Sequence, residues 1–371
     1  MNILLINPWD VDVLPPPSVG YLQSAIKDKC KDVQVTARDL SEAYALLERN
    51  KYDIVGVTFH SFSVKHAKEI RKRFNGRLIC GGHHPTALPE QMLSLGYDQE
   101  VIGEGENAMI DIILGNTDKT VTTTERHHFP TINVIPFPDY TGLSYKGKFG
   151  VNIISSRGCP FACTFCASSF FWNHKYKMRS ADNVIREINQ RKAEGFNTWI
   201  FEDDNFTAHK KRVHDICSTL DGSLTWQCQG RAEDLTEDLC LELYRAGYRR
   251  IFLGIESFSQ PTLDRCKKST TVDKMVRGID AAEKAGIKTI CLFIVGLPGD
   301  TLDDIQETHR VRTNIKMSEF GVNIAWILPG TDIHTKAKKY GFDDNIYLQD
   351  GAPFYTYEQS MTTLNEWKNL I

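Results

Sequence analysis

Three cysteines, Cys159, Cys163 and Cys166, stand in the order Cys-x3-Cys-x2-Cys within the segment Ser155-Ser156-Arg157-Gly158-Cys159-Pro160-Phe161-Ala162-Cys163-Thr164-Phe165-Cys166. Three thiolates on one compact loop suit a soft metal or an iron–sulfur cluster. No fourth cysteine or histidine lies nearby at ligand spacing. A cube held at three corners keeps one iron open to a substrate or cofactor. A closed four-ligand site mainly stores electrons or stabilises a fold. Gly158 and Pro160 would shape a tight loop and let backbone amides approach the sulfurs. The competing reading is a zinc loop or three buried cysteines, but structural zinc takes four ligands, usually as two spaced pairs.

Other groups capable of chemistry follow apolar, strand-like runs. Phe201-Glu202-Asp203-Asp204 offers carboxylates that could accept from an ammonium group, although an acidic helix cap explains Asp203 or Asp204 equally. Arg231, after Gln229-Gly230, could face a carboxylate as a two-pronged donor or make an ordinary salt bridge. Glu256 ends Leu253-Gly254-Ile255-Glu256, either as an acceptor or as part of a capped turn. Gly296, in Val295-Gly296-Leu297-Pro298-Gly299, permits close backbone approach to a flat ligand or simply makes a strand-to-helix turn.

The elements that must position these groups fall into two alternating series. The first 115 residues place strand candidates at Ile3–Ile6, Val33–Thr36, Ile54–Phe59, Leu78–Cys80 and Glu100–Ile102, with helices between them near Val19–Lys27, Glu42–Arg49, Val64–Phe74, Pro89–Ser94 and Asn107–Leu114. This rhythm predicts a doubly wound parallel sheet covered on both faces. Residues 116–150 lose the rhythm: Val121-Thr122-Thr123-Thr124 leads to Pro130, Pro136 and Pro138, which reads as a linker. A second series runs over 151–331. Its strand candidates are Val151–Ser155, Thr198–Glu202, Thr225–Gln229, Arg250–Ile255, Thr289–Val295 and Val322–Ile327. Helices are expected at Asp182–Ala193, Lys210–Leu220, Glu237–Ala246, Val272–Ala285 and Leu302–Met317. Six strands predict a partial (β/α)6 barrel with its chemistry at the C-terminal strand ends. Residues 332–371, with a turn signal at Asp350-Gly351 and a helix candidate at Tyr357–Leu370, form a C-terminal extension.

In the first series the polar and glycine residues also gather after the strands. They include His60-Ser61-Phe62, Gly81-Gly82-His83-His84-Pro85-Thr86 and Gly103-Glu104-Gly105-Glu106. In a doubly wound sheet these points converge on one edge, where a large ligand can approach closely. No G-x-G-x-x-G follows the first strand, which disfavours a dinucleotide.

The cysteine loop resembles the cluster motif of the radical S-adenosylmethionine (SAM) superfamily. The first series, through the Gly81–Thr86 and Gly103–Glu106 segments, resembles the cobalamin (B12)-binding domains that precede many of these barrels. The likeness runs from about residue 1 to 335. It implies an α/β chain with an N-terminal doubly wound, Rossmann-like B12-binding domain over 1–115 and a partial (β/α)6 radical SAM barrel. It implies further that Cys159, Cys163 and Cys166 hold a [4Fe–4S] cluster whose open iron binds the amino and carboxylate groups of SAM. Phe165 would lie near the adenine. Glu202 or Asp203 would meet the SAM amino group, in place of the more usual Gly-Gly-Glu. Glu256 would accept from the ribose, with Arg231 and Gly296 as further SAM contacts. His60, Ser61, Gly82, His83, Thr86, Gly103, Glu104 and Gly105 become the cobalamin candidates. The Asp-x-His-x-x-Gly pattern that supplies a histidine to cobalt is missing. Either cobalamin binds without a protein ligand below the metal, or the domain binds nothing.

The activity implied is one-electron cleavage of SAM to methionine and a 5′-deoxyadenosyl radical, fed by an external donor such as flavodoxin or ferredoxin. Methyl transfer to an unactivated carbon of a small molecule or short peptide would follow. The alternatives are cobalamin-independent oxidation, rearrangement or epimerisation, and a non-catalytic iron–sulfur sensor or binding module. A methylthiotransferase would carry three more clustered cysteines upstream, where only Cys30 and Cys80 stand. The other scattered cysteines, Cys217, Cys228, Cys240, Cys266 and Cys291, read as small buried hydrophobes.

Composition sets the outer bounds. The chain has 371 residues, 44 Lys plus Arg against 47 Asp plus Glu, a formal charge of −3, and 41% hydrophobic residues. Those values belong to a globular protein of two or three domains. Near-neutral charge gives no reason to expect a nucleic-acid or anionic-membrane surface. No apolar run approaches the roughly 18 residues of a membrane span, and the N-terminus lacks a secretory signal, so a cytoplasmic location is the default expectation.

Overall fold

The computed structural model describes residues 1–8, 17–49, 51–117, 120–122, 131–143 and 150–371. Of the linker expected at 116–150, Thr123, Thr124 and Pro130 lie outside them. Two compact units emerge, one comprising Met1–Asn152 with Asp343–Pro353, the other Ile153–Phe342 with Phe354–Ile371. The stretch 332–371, expected as a single extension, is therefore divided between them.

The first unit is a six-stranded sheet in the order β2-β1-β3-β4-β5-β6. Its strands are β1 (Asn2–Asn7), β2 (Gln34–Asp39), β3 (Ile54–Thr58), β4 (Arg77–Gly81), β5 (Gln99–Ile102) and β6 (Thr120–Thr122). All its pairings are parallel. Helices α1 (Pro17–Lys29), α2 (Leu40–Leu47), α3 (Ala67–Arg73), α4 (His83–Ala87), α5 (Pro89–Ser94) and α6 (Glu106–Ile113) connect them. Ile3, Leu4, Leu5 and Ile6 of β1, an interior strand next to the β2 edge, are at most 1% exposed. That continuous apolar run is what a strand covered on both faces requires. The elements not foreseen include β6 and α4. β6 is a three-residue edge strand, too short for any periodicity to register. The five-residue α4 carries a histidine pair, a proline and a threonine where the sequence reads as a loop.

The second unit is a parallel sheet in the order β14-β13-β12-β11-β10-β7, so β7 and β14 remain separate edges and the ring is open. The strands are β7 (Val151–Ile153), β10 (Thr198–Phe201), β11 (Thr225–Gly230), β12 (Tyr248–Glu256), β13 (Lys288–Val295) and β14 (Glu319–Ile324). Between β7 and β10, β8 (Ser156–Arg157) and β9 (Lys177–Met178) pair antiparallel, flanking α7 (Ala167–Phe171). The remaining helices are α8 (Ala181–Ala193), α9 (Lys210–Cys217), α10 (Glu237–Arg245), α11 (Gln260–Arg265), α12 (Val272–Lys284), α13 (Leu302–Thr313), α14 (Asp332–Lys339) and α16 (Met361–Leu370). The short α15 (Tyr347–Asp350) belongs to the first unit.

Local sequence explains where the long helices begin. Ser180, Thr236, Thr271, Thr301 and Ser360 each accept a backbone amide as N-cap residues of α8, α10, α12, α13 and α16. Such caps satisfy donors that the first turn leaves unpaired, at about 1 kcal/mol each. Among the described residues no helix is long and apolar enough to cross a membrane.

Candidate functional site

The cysteine loop leaves β8 through Gly158, whose φ is +83°. A Cβ there would lie 2.0 Å from the Lys175 carbonyl oxygen, so only glycine makes this turn. The loop is then pinned from several sides. The Gly158 amide donates to Asp204 (3.0 Å), the Thr164 amide to the Cys266 carbonyl (3.0 Å), and the Ser169 hydroxyl to the Phe161 carbonyl (2.7 Å). The result presents Cys159, Cys163 and Cys166 as partly accessible thiols, while the other seven cysteines are buried. Burial raises the Cys159 pKa and pushes Cys166 up to about 12, with neighbouring acids and thiols adding to both. The loop thus keeps these sulfurs reachable while leaving their negative charge to be neutralised from outside, which is what iron supplies to thiolate ligands. Among the described residues no three Cys, His, Asp or Glu side chains converge on one point as ligands of a single ion do. Ligands at separate corners of a cluster need no such convergence, so the donor set fits a [4Fe–4S] group.

The acidic run after β10 splits into three roles. Asp203, a candidate for the SAM amino group, is spent on the protein itself. It accepts from the Ser155 and Ser156 amides (2.6 and 3.1 Å), both serine hydroxyls and Arg212 (3.2 Å). With its lone pairs so engaged and its side chain fully buried, it ties the start of the cluster loop to β10. Asp204 holds Gly158, and burial raises its pKa. Glu202 has no partner among the described residues. The residue is half-buried, and burial followed by the charge of Asp203 raises its pKa to about 7. Of the three residues, Asp203 is the buried one, Glu202 is half-buried and Asp204 is exposed.

Glu256 sits at a register shift in β12 with φ +63°, a conformation that costs a non-glycine residue about 1–3 kcal/mol. Its Oε1 accepts from Lys268 Nζ at 2.8 Å in a buried pair. Gly254 leaves room for this: a Cβ there would lie 2.6 Å from that carboxylate oxygen. Lys268 was not foreseen, since nothing in Lys267-Lys268-Ser269 distinguishes it from a surface lysine. Arg231 is buried against the loop, stacked on Phe161 and 3.7 Å from Cys163 Sγ. Phe165 is half-buried beside Cys166. At Gly296 φ is +78° and a Cβ would meet Leu364 of α16 at 2.5 Å, so the C-terminal helix packs closely against it.

In the first unit the candidates gather at the C-terminal ends of β3, β4 and β5. His60 and His83 stack with centroids 4.8 Å apart. Burial lowers their pKa values to about 4 and about 3, so both are neutral at physiological pH, although solvent reaches both. Ser61 bonds the Nδ1 of His84 (3.2 Å), whose Nε2 meets Gln91 (2.7 Å), and Gln91 donates to the Asp344 carbonyl (2.9 Å). His84 is fully buried and organises the loops, a part the sequence did not reveal. Thr86 accepts from the Gly103 amide at 3.0 Å. At Gly82, φ is +98° and a Cβ would lie 2.7 Å from the Phe59 carbonyl oxygen. Both residues therefore shape the edge from within. Glu104 is buried and Gly105 caps α6, its Cβ position 3.2 Å from Leu22. The accessible, uncharged wall of His60, His83 and Gly103 fits a large group that docks by shape.

Comparison with known proteins agrees with both halves. The family model described as the radical SAM superfamily matches residues 153–311, and that of the B12 binding domain matches 12–113. An uncharacterized methyltransferase of Pyrococcus horikoshii is 28% identical, covering 96% of this chain and 86% of the relative. The anaerobic magnesium-protoporphyrin IX monomethyl ester cyclase of Rubrivivax gelatinosus is 27% identical over 84% of this chain and 64% of its own length. Among solved structures, the radical SAM methyltransferase TsrM from Kitasatospora setae, with tryptophan and a SAM analogue, superposes with TM-score 0.76 at 17% identity, covering 91% of this chain and 76% of that one. The cobalamin-dependent enzyme OxsB with aqua-cobalamin gives the same TM-score and identity, over 99% of this chain and 66% of that one. With its cysteine loop at the strand ends of an open parallel sheet, the chain carries a radical SAM domain over residues 153–311, preceded by a B12-binding domain over 12–113.

Proposed function

We propose that this protein is a cobalamin-dependent radical SAM methyltransferase acting on an unactivated carbon of a small molecule or short peptide. The observation that carries the reading is the pinned loop of three reachable thiols, held by Asp203 and Asp204 at the end of β10, where the adjacent Glu202 has no partner among the described residues. When bound, the reduced cluster supplies an electron to SAM and cobalamin supplies a methyl group. The protein's own part is positional. Cys159, Cys163 and Cys166 anchor the cluster, and Asp203 and Asp204 hold their loop against β10. Glu202 accepts from the SAM ammonium, Glu256 from the ribose, and Phe165 flanks the adenine. His60, His83 and Gly103 line the corrin side. A flavodoxin or ferredoxin supplies the electron.

Anaerobic reconstitution tests this, with iron counted, bound corrin read by absorption, and 5′-deoxyadenosine measured after SAM and reductant are added. Iron without 5′-deoxyadenosine would leave only a sensor or binding module. A second reading, radical chemistry without methyl transfer, draws on the cyclase relative. Methyl-labelled SAM separates the two, because label enters the product only in the first.

A further inference from the structure

Arg231 is a buried cation beside the cysteine loop, being 5% exposed. Its guanidinium stacks on Phe161, with Cζ 3.8 Å from the ring centroid. Nε donates to Glu233, Nη2 to the Lys268 carbonyl, and Nη1 stands 3.7 Å from Cys163 Sγ. Every nitrogen of the group is thus directed at this chain. Of the three loop thiols, that of Cys163 is the one a side-chain donor reaches among the described residues. Lys268, whose carbonyl fixes the fork, also pairs with Glu256, so the arrangement is tied to the end of β12.

We infer that Arg231 sets the reduction potential of the cluster, by holding a delocalised positive charge and an N–H donor against the Cys163 corner. This differs from the SAM contact expected of Arg231 from the sequence, and it rests on the cluster assignment above. Reduction adds one negative charge to the cluster. A buried cation a few ångströms away stabilises the reduced form more than the oxidised one, the more so where water is excluded. Hydrogen bonds to ligating sulfur act in the same direction. Glu233 opposes the effect, because its carboxylate offsets part of the guanidinium charge. Planar, always charged and able to stack, arginine suits the position better than lysine.

The test is a redox titration of the reconstituted full-length protein without SAM or substrate, followed by electron paramagnetic resonance. At a fixed potential, Arg231→Met should lower the ratio of reduced to oxidised cluster about tenfold, equivalent to about 59 mV for a one-electron couple. Arg231→Lys should lower it less, and Glu233→Gln should raise it. Opposite signs at two adjacent positions mark electrostatics, since damage to the loop would not raise the ratio. Full iron content in Arg231→Met with an unchanged ratio overturns the inference. Should that variant fail to retain iron, Glu233→Gln decides: a raised ratio supports the inference and an unchanged or lowered one defeats it. If the unsubstituted protein assembles no cluster, or Cys163→Ala keeps it, the cluster assignment itself fails, an outcome distinct from either of these.

Discussion

The two units solve the same problem, presenting groups at the C-terminal ends of parallel strands, with opposite electrostatics. Around the cysteine loop the strand ends carry buried charge: Asp203 with Arg212, Arg231 with Glu233, Glu256 with Lys268. At the edge of the first sheet the corresponding positions are held by neutral bonds, Ser61 to His84 to Gln91 and Thr86 to the Gly103 amide, and two imidazoles are kept uncharged. Buried charges are costly unless paired and hydrogen-bonded, so the charged site must be rigid and each of its members depends on its partner. The neutral bonds at the edge of the first sheet carry no such cost, although Glu104 is buried beside them. The proposed function puts a zwitterionic cofactor and a redox cluster at the first arrangement and a corrin at the second.

The widest separation between the units should come from Cys163→Ala set beside His83→Ala. The first should abolish both bound iron and 5′-deoxyadenosine. The second should leave iron content intact and weaken only corrin retention, read by absorption after desalting. Loss of iron in His83→Ala would mean that the two sites are not chemically separate.

Next in size is Asp203→Ala. It leaves Arg212 buried without its carboxylate and strips the Ser155 and Ser156 amides of their acceptor. A destabilisation of about 3–5 kcal/mol is expected, measured by denaturant unfolding of the apoprotein. A loss below 1 kcal/mol would show that the charge network does not hold the loop.

Glu202→Gln should leave folding and iron content unchanged and weaken SAM binding about 10–100-fold, the worth of a hydrogen bond to a charged group. Because the Glu202 carboxyl titrates near 7, SAM affinity in the unsubstituted protein should fall as pH drops below that value. The variant should be flat over the same range, as isothermal titration at several pH values would reveal.

Smaller effects should appear in the stability of the first unit. His60 and His83 have folded pKa values of about 4 and about 3, below the ordinary 6.5. Their contribution is therefore complete above 6.5 and is lost as pH falls toward 3. Replacing both with Phe should shallow that acid limb. Glu100 works the other way. It is fully buried, with one unpartnered oxygen and a pKa raised to about 8 by burial. The folded state binds the extra proton, so stability declines as pH rises from 4.5 through 8, and Glu100→Gln should remove that slope.

Much of this was legible in the residues. The spacing of Cys159, Cys163 and Cys166 carries its chemistry locally, because one short loop must bring the three sulfurs together. Apolar strands alternating with capped helices likewise announced two parallel sheets, since burial on both faces demands continuous apolar runs. What escaped detection depended on partners far away in the chain. At Gly296 the conformational freedom was visible while Leu364 of α16, which packs against it, was not. Asp203 looked like a ligand because the donors that exhaust it, Ser155 and Arg212, come from other elements. Lys268 and His84 gave no signal at all, each being defined by what folding packs around it.

The residues alone thus determined the cluster loop, the order of strands and helices and the two-unit plan, all of which follow from interactions between near neighbours or from burial pattern. Only the tertiary structure decided which of three adjacent carboxylates is buried, which glycine serves packing, and where Arg231 directs its charge. Those outcomes turn on hydrogen bonds and ion pairs between distant positions, and no local pattern encodes which polar group finds its partner first.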